Sequence, residues 1–174
     1  MKCLGLDIST TSTGWAILEQ NSSPGFTLVD YGRLDFPKEK AHKARLVVFG
    51  ELISQLVRFP NNTFDYVIIE DTFVKFDPSV TKKLSRFAGV AIASITAAQP
   101  GAVVALISPQ SIKAAIFPKQ KKDKEDIKLE MLTRYNLVNI SNPDEVKKFC
   151  NDITDAIAIA HFPFLRKVEE KWIV

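Results

Sequence analysis

Leu4 to Leu18 reads LGLDISTTSTGWAIL, and the fold turns on how Asp7 within it is read. A carboxylate stands inside an apolar run. Five hydroxyl residues follow, and Gly14-Trp15 leads into a second apolar run. A buried carboxylate without a partner is strongly unfavourable. A strand that carries one therefore implies that something binds it. Alternation puts Cys3, Gly5, Asp7 and Ser9 on one face and Leu4, Leu6 and Ile8 on the other. Asp7 thus lies among small residues, which suggests room for a ligand beside it, and the strand itself offers only Lys2 as a neutralising cation.

Working outward, Lys2–Ser9 and Thr13–Gln20 read as two strands linked by Thr10–Ser12. Asn21 to Gly25 is a turn cluster, and Phe26–Phe36 is a third strand. Short links favour an antiparallel meander. Helical spacing follows over Lys40–Phe59, with Leu46, Phe49, Leu52, Ile53 and Leu56 on one face. Asp65–Glu70 is a short apolar strand ending in an acid, and Asp71–Ser79 is a loop. Val80–Ala98 is a helix, Ala102–Ile107 a strand, and Pro109–Ile116 a short helix with proline in its first turn. Phe117–Lys124 is a lysine-rich loop, Asp126–Tyr135 a helix, and Asp152–Leu165 a final helix. This order predicts an α/β fold: three antiparallel strands extended by parallel ones, with helices on both faces.

The 174 residues suit one domain, long enough to bury roughly 70% of the unfolded surface without disulfide staples. Cys3 and Cys150 form no CxxC pair, which speaks for a reducing compartment and against a structural zinc site. Asp7 interrupts any signal-peptide core. Phe87 to Ile112 is uncharged, but Gln99-Pro100-Gly101 splits it into pieces too short for a bilayer roughly 30 Å thick. The net charge of +3 is uneven: Phe73 to Arg134 holds eleven Lys/Arg against five Asp/Glu, or +6. A basic middle hints at a polyanionic partner.

Four acids stand on apolar elements. Asp7 is in a strand, and Glu70 (or its neighbour Asp71) ends another. Asp152 and Asp155, spaced i, i+3, share a helix face. Acids in a first helical turn also cap it and complement its dipole. Brought together, four carboxylates repel unless cations neutralise them. Hard oxygen donors suit Mg²⁺ or Mn²⁺, and two such ions roughly 4 Å apart serve in-line phosphodiester cleavage.

GLDISTTSTGWAI, VIIEDTF, KKLSRFAGVAIA, ISPQSIKAAI and DITDAIAIAHF occur in that order across nearly the whole chain. Together they resemble the RuvC-type Holliday junction resolvases of the ribonuclease H-like superfamily. The resemblance implies a single ribonuclease H-like nuclease domain over residues 1–174, cutting four-way or other branched DNA by paired, metal-dependent hydrolysis. It makes Asp7, Glu70, Asp152 and Asp155 the metal ligands, for two Mg²⁺ per site with Mn²⁺ as substitute, and it chooses Glu70 over Asp71. Lys113 matches a lysine beside the scissile phosphate. Phe73 matches an aromatic that stacks on bases at the crossing point, with Phe76 competing for the role. Lys82, Lys83, Arg86, Lys119, Lys121, Lys122 and Lys124 fall in regions that face DNA. A homodimer is implied by two symmetric cuts, with the Val80–Ala98 helix as candidate interface. The implied location is the cytoplasm of a bacterium or a bacteriophage-infected host, away from membranes; a branch-migration motor stays open as a partner.

Where many family members carry a glycine-rich segment, this chain has IFPKQKKDKEDI, residues 116–127. Relaxed, structure-directed cleavage is the expectation from that departure. His161 lies six residues past Asp155, off the acidic face, and reads as a packed or surface histidine. His42 has no acidic motif nearby. Two rival readings are a catalytically silent branched-DNA-binding module and a nucleotide-binding domain of the actin/sugar-kinase type. The second needs two such domains and more glycine than the seven here.

Overall fold

The computed structural model describes residues 1–20, 25–36, 41–58, 63–71, 78–118 and 123–174. Strands β1 (Lys2–Ile8), β2 (Ser12–Gln20) and β3 (Phe26–Asp35) form the expected meander. Helix α1 (His42–Arg58) leads to β4 (Tyr66–Glu70), and α2 (Pro78–Ala98) leads to β5 (Val103–Ile107). The sheet order is β3-β2-β1-β4-β5. β1 pairs antiparallel with β2 and β2 with β3, whereas β1–β4 and β4–β5 are parallel. β1, β3, β4 and β5 therefore all deliver the chain to one edge of the sheet, the carboxyl edge.

Alternation along β1 sorts the core into two layers. Leu4 and Leu6 face α1 and α2, where Phe49, Ile53, Phe87, Ala91 and Ile95 are fully buried. On α1 the deepest positions are Phe49, Ile53 and Val57; Leu46, Leu52 and Leu56 flank them half-buried. Cys3 lies in the opposite layer with Ile68, Ala105 and Ile107. That layer packs on α3 (Pro109–Ile116), α4 (Lys124–Arg134) and α6 (Asn151–Ala160). Helices on both faces match the sequence expectation.

The small residues beside Asp7 have a different purpose from the one first read into them. A Cβ on Gly5 would run into the Ala156 carbonyl and the Ala160 nitrogen, and one on Gly14 into the Asp152 carbonyl. The small face seats the backbone of α6 directly on β1 and β2, rather than leaving space for a ligand.

Several helix ends, and one added helix, also depart from expectation. The final helix stops at Ala160, and a short α7 (Phe162–Leu165) follows from His161. Pro163 has no N–H to continue the ladder. Helix α4 begins at Lys124, two residues early, because Asp123 and Asp126 form a reciprocal capping box, with bonds of 3.0 and 2.9 Å. A six-residue helix, α5 (Pro143–Lys148), is capped by Asn142 and lacks the apolar periodicity that marks longer helices. No described helix is long and apolar enough to cross a membrane.

Candidate active site

Asp7 and Glu70 come together through register. Leu6 is paired with Ile69 across the parallel β1–β4 ladder, so Asp7 and Glu70 occupy the next position on neighbouring strands. Both project to the α6 face, opposite the layer that holds Leu6 and Ile69. Helix α6, seated on the two glycines, brings Asp152 and Asp155 over the same edge. Asp155 faces Glu70 across a cavity of about 220 Å³, lined also by Lys113 and Lys124 above an apolar floor of Ile127 and Ile159.

The electrostatics report this crowding. Burial, then the charges of Asp155 and Glu70, push the Asp7 carboxyl up to about 8. Burial and Asp155 push Glu70 up to about 7, against the pull of Lys124 and Lys113. Burial also raises Asp155, opposed by Lys124. Lys124 answers them. Burial disfavours its charge, yet its hydrogen bond to Asp155 and the charges of Asp155, Asp7 and Glu70 hold its pKa above the usual lysine value. Its Nζ lies 2.6 Å from Asp155 Oδ2.

Lys124 thus sits on an acid of the cluster, as the first residue of α4, rather than at the end of a DNA-facing loop. The capping sequence D-x-x-D, Asp123 to Asp126, was the signal that places it. Ser12 is a further residue that sequence reading passed over, as part of the hairpin turn. Its Oγ donates to Asp152 Oδ2 at 2.9 Å. Ser9 makes the turn itself, its Oγ accepting from the Ser12 N–H at 3.0 Å. His161 is fully buried. Its Nδ1 donates to the Ile157 carbonyl (2.8 Å), which leaves Nε2 to accept from the Tyr135 hydroxyl (2.8 Å). It is a packed histidine that ties α4 to α6.

Lys82, Lys83 and Arg86 are exposed, or nearly so, near the start of α2, on the other face of the sheet. Phe73, Phe76, Lys119, Lys121 and Lys122 lie outside the described residues. Among the described residues, no three of His, Cys, Asp and Glu are grouped tightly enough to hold one ion. The donor set nevertheless suits a hard cation: coupled carboxylates held above their usual pKa, with the ammonium of Lys124 already drawn onto one of them.

A mixed sheet with carboxylates at the ends of its two central parallel strands and on the helix above them defines the ribonuclease H-like class. The structure superposes on Thermus thermophilus RuvC solved in complex with Holliday junction substrate, with a TM-score of 0.72 over 92% of this chain and 90% of that one at 18% identity. It also matches the yeast mitochondrial Holliday junction resolvase Ydc2, with a TM-score of 0.63 over 91% and 75% at 14% identity. At sequence level the chain is 34% identical to the crossover junction endodeoxyribonuclease RuvC of Aliarcobacter butzleri, covering 92% of this chain and 96% of that protein. The family model for crossover junction endodeoxyribonuclease RuvC matches residues 3–162. The chain belongs to the RuvC family.

Proposed function

We propose that this chain carries out the family's reaction with Asp7, Glu70, Asp152 and Asp155 as the acidic centre. The chain is a Holliday-junction-resolving endonuclease, a hydrolase dependent on divalent metal. The observation that carries the assignment of residues is the adjacency of Asp7 and Glu70 on parallel strands beneath Asp155.

The four carboxylates would hold two Mg²⁺ ions, with Mn²⁺ as a substitute; such ions supply an activated water and charge for the leaving oxygen. The remaining duties fall to the chain's own side chains. Ser12 fixes the Asp152 carboxylate. Lys113, at the cavity wall, presents a positive charge to the phosphate that enters. Lys124, released from Asp155, offers a second. Phe73 and the lysines at 119, 121 and 122 are the further DNA-binding residues of this reading. Residues 1–174 act as one nuclease domain, and two copies related by a two-fold axis place two such centres on the two symmetric strands of a junction. The α2 face is the interface we assign. We assign the work to the cytoplasm of a bacterium or an infected host, a reading supported by the bacterial relatives. The glycine-free segment 116–127 favours relaxed sequence preference over a range of branched DNAs.

The test is cleavage of a synthetic mobile four-way junction with and without Mg²⁺, wild type beside Asp7→Asn. The expected result is paired symmetric nicks that fall on the order of 10³-fold in the variant while junction binding persists. Binding without cleavage in either Mg²⁺ or Mn²⁺ would replace this reading with a silent binding module. Absence of binding would reopen the nucleotide-binding alternative.

A further inference from the structure

We propose that the carboxyl edge carries a second anion site, on the sheet face opposite the acids, in which Arg45, Lys83 and Arg86, gathered around His42, hold one backbone phosphate of a DNA arm. This rests on the reading of the chain as a junction nuclease, and it adds His42 and Arg45, which that reading leaves without a role.

The placement follows from topology. β3 runs parallel to β1, so α1 starts at the carboxyl edge, as α2 does after β4. The two helices meet there. The His42 ring stands edge-on to Phe87, with centroids 5.5 Å apart, one residue past Arg86 on α2. Arg45 lies one turn along α1 from His42, and its Nη1 donates to the Thr10 carbonyl in the β1–β2 turn at 3.1 Å. That bond ties the cluster to the hairpin bearing Asp7. Lys83 and Arg86, spaced i, i+3, are exposed on the same helix as Phe87.

Two independent observations point to an anion. First, both ring nitrogens of His42 and the Nε of Arg45 are out of solvent and have no hydrogen-bond partner among the described residues. Buried polar atoms normally find one. Second, the charges are unbalanced. Burial, then Arg86, Arg45 and Lys83, lower the His42 pKa, so three cations crowd one imidazole. Among the described residues no carboxylate pairs with any of the three. Elsewhere in the molecule such cations do find acids: Arg33 with Asp35, Arg134 with Glu130, Lys124 with Asp155. Guanidinium and ammonium groups converging from two helices suit phosphate oxygens, with the guanidiniums able to engage two at once. The N-terminal turn of α1 has no acidic residue to compete. A nuclease that must keep its acids next to DNA gains grip by placing unneutralised cations where those acids cannot reach them.

The experiment measures binding of the full chain to a fluorescent four-way junction in EDTA across a KCl titration. The proteins are wild type, Arg45→Gln, Arg45→Lys, the double variant Lys83→Gln/Arg86→Gln, and Lys171→Gln as a remote control. Loss of one phosphate contact lowers the slope of log affinity against log salt by about 0.9. The expected result is a drop of that size in Arg45→Gln and at least as much in the double variant, with affinity at low salt down about tenfold. Arg45→Lys should restore the slope and Lys171→Gln should leave it alone. Affinity lost at an unchanged slope would mean that Arg45 only braces the hairpin through Thr10, and would overturn the site. An unchanged slope in the double variant, whose replaced side chains are exposed, would overturn it too. If wild type still cuts junctions, the nuclease reading survives that failure; if wild type binds no junction at any salt, both fall.

Discussion

The two faces of the sheet at its carboxyl edge handle charge in opposite ways. On the α6 face Asp7, Glu70 and Asp155 are largely buried, crowd one another and ride above their ordinary pKa values. On the α1/α2 face the cations are mostly exposed and lack acidic partners among the described residues. One sheet separates them. Were both sets on one face, they would neutralise each other as ion pairs, and neither would be available for a cation or a phosphate. Lys124 shows what happens without the barrier: reaching the acidic face, it closes onto Asp155 at 2.6 Å. Segregation by a rigid layer keeps opposite charges close to one substrate yet apart from each other.

The most direct way to break this comparison is Gly14→Ala. Its methyl has nowhere to go but into the Asp152 backbone, so α6 must lift off the sheet. We expect a loss of about 3 kcal/mol in urea denaturation and loss of junction cleavage, although no carboxylate has been touched. A fully stable Gly14→Ala would show that α6 is not seated as described.

A smaller effect sharpens the acidic side. In its folded state Asp7 titrates at about 8 and Glu70 at about 7, against 3.8 and 4.5 as ordinary values. Between roughly pH 4 and pH 8 the folded chain therefore holds more protons than the unfolded one, and these groups cost stability increasingly as pH rises. Asp7→Asn in EDTA should be more stable than wild type at pH 8, on the order of a few kcal/mol, and the difference should shrink toward pH 4. Denaturation curves across that range would check it, and a constant difference would contradict the crowding. His161 works in the other direction. Neutral in the fold down to about 4, it loses its share of stability as pH falls from about 6.5.

The smallest effect belongs to Ser12→Ala. Removing the 2.9 Å bond to Asp152 should cost about 1 kcal/mol of positioning and slow cleavage about fivefold, with junction binding intact. Equal rates in single-turnover assays would show that Asp152 is held without it.

Much of the fold could be read from the sequence because strand alternation and helix periodicity are local. β1, β4, α3 and the paired Asp152 and Asp155 all declare themselves within a dozen residues. The register that sets Asp7 beside Glu70 is long-range, and no local pattern contains it. The small face of β1 misleads for the same reason: Gly5 looks like space until the helix that fills it, some 150 residues later in the chain, is in place. Lys124 depended on one missed cap; with α4 starting at Asp126 it belongs to a loop, and with the cap at Asp123 it turns toward Asp155. Pro163 marks the break in the sequence, but the apolar pattern runs through it and hides the stop. The pairing of α1 with α2 around His42 and Phe87 could not be foreseen, since neither helix names its neighbour.

The outer rims of the sheet are closed by different means. β3 carries charge along its length, including the Arg33–Asp35 ion pair, which discourages another strand from docking. The free rim of β5 is closed late in the chain: Ile173 bridges to Ala105, and the Val174 N–H donates to the Val104 carbonyl at 3.0 Å. During synthesis, then, β5 leaves the ribosome long before its cover exists. In that interval an apolar parallel strand stands open to other nascent chains. Variants that lose these last contacts should show their defect first as poor soluble yield rather than as slow chemistry.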